Sequence, residues 1–181
     1  MDAWLDRLRR EIEATTQGLG EAEWKRAPLG RWNSAQILEH LGRSYGATAK
    51  MLELSLGEGG PPPVRAAKIS ERLAQFLVVS LGMFPSGRKA PAFVMPQDEP
   101  GRDVLQQALS GLERMKVAMA AAEERWGSKQ PVAVHFVLGP MNLGQWRKFH
   151  YLHGHHHVRQ MRERLGNLEN IKEDTGNRAA G

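Results

Sequence analysis

The chain has 181 residues, of which 41% are hydrophobic and 25% are charged, so it can form one globular domain with its own core. It contains no cysteine, which excludes disulfides, thiolate metal ligands and thiol nucleophiles. The net charge of +5 is spread among acidic residues, so we expect no nucleic-acid binding. No apolar stretch approaches the roughly 20 residues of a membrane span and no signal-peptide pattern is present, so we expect a cytoplasmic protein without a membrane segment.

Two amphipathic helices are predicted in the first third of the chain. Apolar residues recur at three- and four-residue steps over residues 2–19, which indicates the first helix. A linker is expected over residues 21–31. A second helix is predicted to begin at Asn33 or Ser34 and to end near Leu56, because Asn33 and Gln36 have the spacing of a capping box.

The middle of the chain alternates breaks and helices. Residues 57–63 are rich in glycine and proline and must interrupt the second helix. A weaker helical pattern covers residues 64–83. Residues 85–101 contain four prolines and two glycines, which predicts a long irregular loop of the kind that often covers a functional site. A third long helix is predicted over residues 102–126.

The last third of the chain begins with an apolar, β-branched segment at residues 131–138. We expect it to be an extended loop, because no second strand pattern is available to pair with it. A final helix is predicted from about Asn142, a plausible cap, to Leu165. These elements predict an all-α fold, a four-helix bundle with an extra short helix and long loops. Residues 1–166 would form this single domain, and residues 167–181 would be a flexible C-terminal tail.

Five of the seven histidines lie within the eight residues 150–157 of the final helix. His153 and His157 are four residues apart and therefore project from the same helical face, where two imidazoles can bind one metal ion. His40 is the candidate third ligand, because it lies on the apolar face of the second helix, where an unpartnered histidine is costly. Taken alone, His40 would be interpreted as a hydrogen-bonded histidine of the core, and the pair His153 and His157 is what favours a ligand role.

The other histidines are interpreted differently. His150 lies on the same stripe one turn earlier and is the reserve ligand. His155 points to the opposite side and is expected to be exposed to solvent. His156 flanks the stripe and could support the ligands or pack against a partner chain. His135 precedes the final helix and is interpreted as structural.

Three neutral imidazoles would leave coordination positions open for water or substrate, which is typical of catalytic metal sites. Zinc and nickel suit imidazole best, with iron and manganese as alternatives. The third helix has no histidine or carboxylate on an apolar face, which disfavours a carboxylate-rich di-iron site. Glu39 adjoins His40 but points about 100° away from it on the helix, so we do not assign it as a general base.

Two segments of the chain resemble the DinB/YfiT superfamily of bacterial metal-binding four-helix bundles. One is Gly30-Arg-Trp-Asn-Ser-Ala-Gln-Ile-Leu-Glu-His40-Leu, and the other is His153-Gly-His-His-His157-Val-Arg-Gln160. The segment His135-Phe-Val-Leu-Gly139 is similar to a His-Pro-x-Phe-Gly loop found in a subgroup, but it lacks the proline.

The resemblance implies that His40, His153 and His157 are the metal ligands, and it leaves His156 and Gln160 as motif positions without an assigned ligand role. It also implies nickel or zinc as the metal and a homodimer as the assembly. Some members of this superfamily are transferases or isomerases that use a low-molecular-weight thiol.

Two functions remain open on the sequence. The first is a metal-dependent enzyme, of the thiol-dependent transferase or isomerase type or of the hydrolase type, that acts on a small-molecule substrate. The metal would then act as a Lewis acid, and any thiol would have to be a cosubstrate because the chain has no cysteine. The second is a non-catalytic binding or dimerisation module in which the metal only ties two helices together.

Overall fold

The computed structural model describes residues 2–61, 63–84, 90–98 and 101–178. Its α-helices, in chain order, are α1 (Ala3–Thr16), α2 (Glu21–Lys25), α3 (Ser34–Gly57), α4 (Ile69–Gln75), α5 (Gly101–Trp126) and α6 (Leu143–Arg178). A π-helical turn, Phe76–Ser80, continues α4, and a 3-10 turn spans Ala92–Val94. Strands β1 (Pro131–His135) and β2 (Gly139–Asn142) form an antiparallel hairpin directly before α6.

The prediction of an all-α bundle is confirmed, because the long helices α1, α3, α5 and α6 pack around one apolar core. Three local predictions need correction. The expected linker over residues 21–31 contains the short helix α2, and the helix expected over 64–83 forms only from Ile69 to Ser80. The final helix runs to Arg178 and not to Leu165. The domain boundary at residue 166 and the flexibility of residues 167–181 stay predictions.

The segment at residues 131–138 was expected to be an unpaired extended loop, and this prediction is wrong. Its partner strand, β2, has only four residues and includes a glycine and a proline, so it has no apolar alternation. The hairpin is held from outside by Gln75, whose Nε2 donates to the carbonyls of Leu138 (2.7 Å) and Pro140 (2.6 Å). The Gln75 side chain on α4 therefore gives the hairpin the support that further strands would give in a wider sheet.

Capping boxes fix the first residues of the two helices that carry the histidines. Asn33 Oδ1 accepts from the Gln36 backbone N–H at 2.8 Å, and Gln36 Oε1 accepts from the Asn33 N–H at 2.9 Å. Asn142 and Gln145 make the same reciprocal pair at the start of α6, with both distances 2.9 Å. The predicted caps are thus confirmed, and each satisfies helix N–H groups that would otherwise lack a partner.

Small residues allow the helices to approach closely. On α3, a Cβ atom at Gly42 would lie 3.1 Å from the Cα of Ala108 on α5, and one at Gly111 would lie 3.2 Å from the Gly42 carbonyl oxygen. Gly154 has the same role on α6, where its bare Cα faces α1 and α3. These contacts set the depth at which the histidine-bearing face of α6 sits in the bundle.

Among the residues that the structure describes, no helix combines the length and the apolar character that crossing a lipid bilayer requires.

Replacing Gly154 with alanine should destabilise the bundle. The new Cβ would lie 2.6 Å from Leu8 Cδ1 and 2.9 Å from the Tyr45 hydroxyl, and both of these side chains are fully buried. We expect a loss of about 1–3 kcal/mol in the free energy of unfolding, measured by urea denaturation. Gly46→Ala on α3 is the matched control, because no atom lies within 4 Å of its added Cβ. Equal stabilities of the two variants would contradict the packing described.

Candidate metal centre

Three histidines from two helices converge inside the bundle. His40 comes from α3, and His153 and His157 lie one turn apart on α6. One ring nitrogen from each lies within 4.8 Å of the others, so this cluster could hold a metal ion. The Nε2 atoms of His40 and His153 are 3.2 Å apart. The structure therefore brings together the three residues that the sequence singled out.

Burial keeps these imidazoles uncharged. His40 is 5% exposed and His157 is 9% exposed. Loss of hydration is the main cause that lowers the pKa of all three, and neighbouring histidines contribute for His153 and His157, so that the pKa of His157 falls to about 3. A neutral imidazole has a free lone pair, which is the form that binds a metal ion at neutral pH.

The loop that follows the π-helical turn sets the tautomer of His40. The Nδ1 atom of His40 lies 2.9 Å from the carbonyl oxygen of Val94, which belongs to this loop. A carbonyl only accepts hydrogen bonds, so Nδ1 carries the proton and donates it. The lone pair of His40 is then on Nε2, the nitrogen that faces His153. Outer partners of this kind orient metal-binding histidines in many proteins.

Gln160 sets the tautomer of His157 in the same way. Its Oε1 accepts from His157 Nδ1 at 2.9 Å, and its Nε2 donates to His156 Nε2 at 3.0 Å. Because Oε1 can only accept, the proton of His157 is on Nδ1 and its lone pair is on Nε2. Gln160 and His156, motif positions without an assigned ligand role, thus form a short chain that orients one candidate ligand, which is the supporting role that was one of the two alternatives for His156.

The facing Nε2 atoms of His40 and His153 show whether the cluster fits a cation. Without a cation, His153 can donate from Nε2 to the lone pair of His40 at 3.2 Å. With a cation between the rings, both Nε2 atoms would present lone pairs to it, and the proton of His153 would be on Nδ1. That Nδ1 is buried without a partner among the described residues in both states, so the fit rests on the converging Nε2 atoms. The donor set therefore fits a metal ion of the type that prefers imidazole.

Aromatic rings surround the three histidines. Phe149 stacks on His153 with 5.4 Å between ring centroids and 8° between planes, and Trp32 lies 5.0 Å from His40 and 6.3 Å from His157. Phe84 lies 5.2 Å from His156. These rings restrict imidazole rotation and make the surroundings less polar, which strengthens electrostatic interactions at the cluster. Neighbours such as Trp32 and Phe84 come from outside the histidine helix, so periodicity within α6 could not reveal them.

The predicted covering loop is confirmed where the structure describes it, at residues 90–98. Besides the contact of Val94 with His40, the Gln97 N–H donates to Glu39 Oε1 at 2.7 Å and Gln36 Nε2 donates to Asp98 Oδ1 at 2.6 Å. The rest of the predicted loop, residues 85–89 and 99–100, lies outside the described residues. Glu39 binds the loop and Arg43, which agrees with leaving it out of the reactive groups.

The remaining histidines lie outside the cluster. His150, the reserve ligand, is buried and its Nε2 lies 3.0 Å from the Thr48 hydroxyl. His155 was expected to be solvent-exposed, but its side chain is only 35% exposed and its Nδ1 lies 2.7 Å from Glu11 on α1. That partner comes from a distant segment, which the helical angle of His155 could not show.

His135 is bound within the hairpin, as its structural interpretation requires. Its Nδ1 accepts from the backbone N–H groups of Val137 (3.1 Å) and Leu138 (3.2 Å) in the turn between β1 and β2. Burial lowers the pKa of His135 to about 4, so the ring is neutral and Nδ1 is free to accept. It closes the turn that leads into α6.

A family model described as the DinB superfamily matches residues 5–161, which includes all three histidines of the cluster. No curated protein and no solved structure matches the chain.

Removal of the Gln160 side chain should weaken metal binding. Gln160→Ala frees the His157 ring and leaves its Nδ1 proton without an acceptor. We expect roughly a 10- to 100-fold loss of zinc affinity, measured by competition with a chromogenic chelator. Gln160→Glu keeps an acceptor at this place and should restore most of the affinity. If the alanine variant binds zinc as tightly as the parent protein, the orienting role is wrong.

Acidification should destabilise the fold, in part through His135. Its pKa is about 4 in the folded protein and near 6.5 when unfolded. Between these values the unfolded chain binds more protons, so stability is present above pH 6.5 and is lost as the pH falls towards 4. His135 contributes up to about 1.4 kcal/mol to the free energy of unfolding for each pH unit in this range.

His135→Asn isolates this contribution, because its Oδ1 can still accept from the turn but does not titrate. Urea denaturation from pH 7 to pH 4.5, with a chelator present, should give a shallower pH dependence for the variant. If the free energy of unfolding depends on pH identically in the parent protein and the variant, His135 is not held neutral by the fold.

Proposed function

The chain belongs to the DinB superfamily, and we propose that it is a metal-dependent enzyme whose ion is held by His40, His153 and His157. The single observation that carries the proposal is the convergence of these neutral, buried imidazoles on one point. Nickel or zinc is the proposed metal, because imidazole suits these ions, and iron and manganese are the alternatives.

The arrangement of the ligands favours a catalytic over a structural role. Among the described residues, the cluster comprises three ligand groups, whereas structural zinc sites are closed by four. A metal bound by three imidazoles would supply Lewis-acid chemistry to a group that occupies the remaining position. The protein itself would orient that group through the aromatic walls, chiefly Trp32 and Phe84.

The proposed reaction is a transfer or isomerisation that uses a low-molecular-weight thiol, or a hydrolysis. The chain has no cysteine, and Glu39 is engaged with Arg43 and the covering loop. A thiol nucleophile would therefore be a cosubstrate. Lowering of a thiol pKa by a bound metal ion is the step that this site is suited to support.

A non-catalytic module is the second candidate, and one observation favours it. The histidines link α3 to α6 and are almost fully buried, so a metal there could serve mainly to tie the helices together. A homodimer is the proposed assembly in either case. The apolar side chains of Ile69, Leu73 and Phe76 follow one stripe of the α4 segment and are exposed in the single chain.

Metal analysis of the purified protein tests the site. We expect about one nickel or zinc ion per chain by elemental analysis, and a rise in melting temperature when the metal is added to stripped protein. His153→Ala should abolish both effects. His155→Ala is the matched control, because it removes a histidine of the same helix that binds Glu11 outside the cluster. Unchanged metal content and stabilisation in His153→Ala would refute the site.

Cobalt substitution separates the two candidate functions. If a coordination position is open, small thiols added to the cobalt-loaded protein should bind the ion and change its visible spectrum. A closed, purely structural site would leave the spectrum unchanged. Thiols that change the spectrum would then be tested for turnover with electrophilic and hydrolysable substrates. The His153→Ala variant would serve as the negative control. Absence of both thiol binding and turnover would favour the non-catalytic module.

A further inference from the structure

An arginine of α6 lies beside the histidine cluster with part of its guanidinium group unpaired. Arg164 follows His157 by seven residues and Gln160 by four, so all three lie on the same face of the helix. Its Nη1 atom is buried and has no hydrogen-bond partner among the described residues. A buried donor of a charged group without an acceptor is costly, and such an exception calls for an explanation.

A second guanidinium group, that of Arg31, acts electrostatically on Arg164. The charge of Arg31 and the loss of hydration both lower the pKa of Arg164, with burial the larger cause. Arg31 directly precedes Trp32, whose ring packs against both His40 and His157. Arg164 by its place on the helix face, and Arg31 by its adjacency to Trp32, therefore both lie on the His157 side of the cluster.

The carboxylate that opposes these effects on Arg164 is an exposed one. The carboxylate that acts on Arg164 is Glu163, whose side chain is 66% exposed and lies 3.8 Å from Arg159. The histidines are neutral and would hold a divalent cation under the proposed function. Like charges that are brought together without a counterion create a local positive potential, which attracts an anion.

We propose that Arg164 and Arg31 form an oxyanion site that receives a carboxylate or phosphate group of the substrate while its reacting part faces the histidine cluster. The planar fork of a guanidinium matches both kinds of oxyanion with paired hydrogen bonds. Arg31 is exposed, so the site is accessible from solvent, and the buried Nη1 of Arg164 marks its inner end. The inference rests on the proposed function for its substrate but not for anion binding itself.

Anion binding can be measured on the full chain, both stripped of metal and loaded with zinc. The probes are inorganic phosphate and malonate, added by isothermal titration at an ionic strength held constant with chloride. Arg164→Gln should weaken binding of the preferred probe at least about tenfold, because it removes a charged hydrogen-bond partner. Arg31→Gln should weaken it several-fold. Arg159→Gln on the same helix loses the same charge at an exposed position and should bind as the parent does.

The outcomes are distinct. Tighter phosphate binding would identify a phosphate group, and tighter malonate binding a carboxylate. Unchanged affinity in Arg164→Gln, or no binding of either probe by the parent protein, would overturn the proposal. If that variant fails to fold, Arg164→Lys, which keeps the charge but loses the fork, and Arg31→Gln should still show weakened binding. Anion binding by the parent that is weakened in Arg164→Gln, together with no metal uptake by the parent, would refute the proposed enzyme but leave the oxyanion site standing.

Discussion

Burial of imidazole is the physical constraint on which the site and much of the packing depend. A histidine in the core loses its hydration and stays neutral, and each of its ring nitrogens then needs a suitable partner. The fold supplies a carbonyl from Val94 to His40, an amide from Gln160 to His157 and a hydroxyl from Thr48 to His150. In His40 and His157 the Nδ1 atom has a hydrogen-bond partner in the protein. The lone pair on Nε2 therefore stays available inside the cluster.

The approach of α6 to the rest of the bundle follows from the same constraint. Imidazoles on two helices can reach one ion only if the helices lie close together, and the absence of a side chain at Gly154 permits this against Leu8 and Tyr45. Gly154 lies directly beside His153 in the sequence. The glycine that interrupts the run of histidines is therefore a packing requirement of the site itself.

Local patterns in the sequence were sufficient for the four long helices and for the shared helical face of His153 and His157. The capping box at Asn33 and the four-residue spacing of His153 and His157 depend only on nearby residues, and the structure agrees with both. The hairpin was missed because its second strand is supported by Gln75, more than 60 residues earlier in the chain. The partner of His155 was missed for the same reason, since Glu11 lies on α1.

The outer shell of the site was the part that sequence reasoning could not supply. The contact from Val94 to His40 uses a backbone carbonyl, which every residue type provides, so no residue pattern could mark it. Gln160 and Arg164 do lie at helical spacings from His157 and could have been placed on its face. Their roles could be seen only from atomic positions. The amide oxygen of Gln160 lies 2.9 Å from His157 Nδ1, and the Nη1 atom of Arg164 is buried without a partner among the described residues.

The hydrogen bond between Val94 and His40 makes the covering loop a thermodynamic partner of the metal centre. An ion that binds His40 through Nε2 favours the tautomer protonated at Nδ1, and that tautomer is the one that holds the Val94 carbonyl. Because such coupling is reciprocal, a bound metal ion would fasten the segment at residues 90–98 to α3, and closure of the segment would raise the affinity for the ion. The same segment also holds Glu39 and Gln36, so occupancy of the centre would be felt at the first turns of α3.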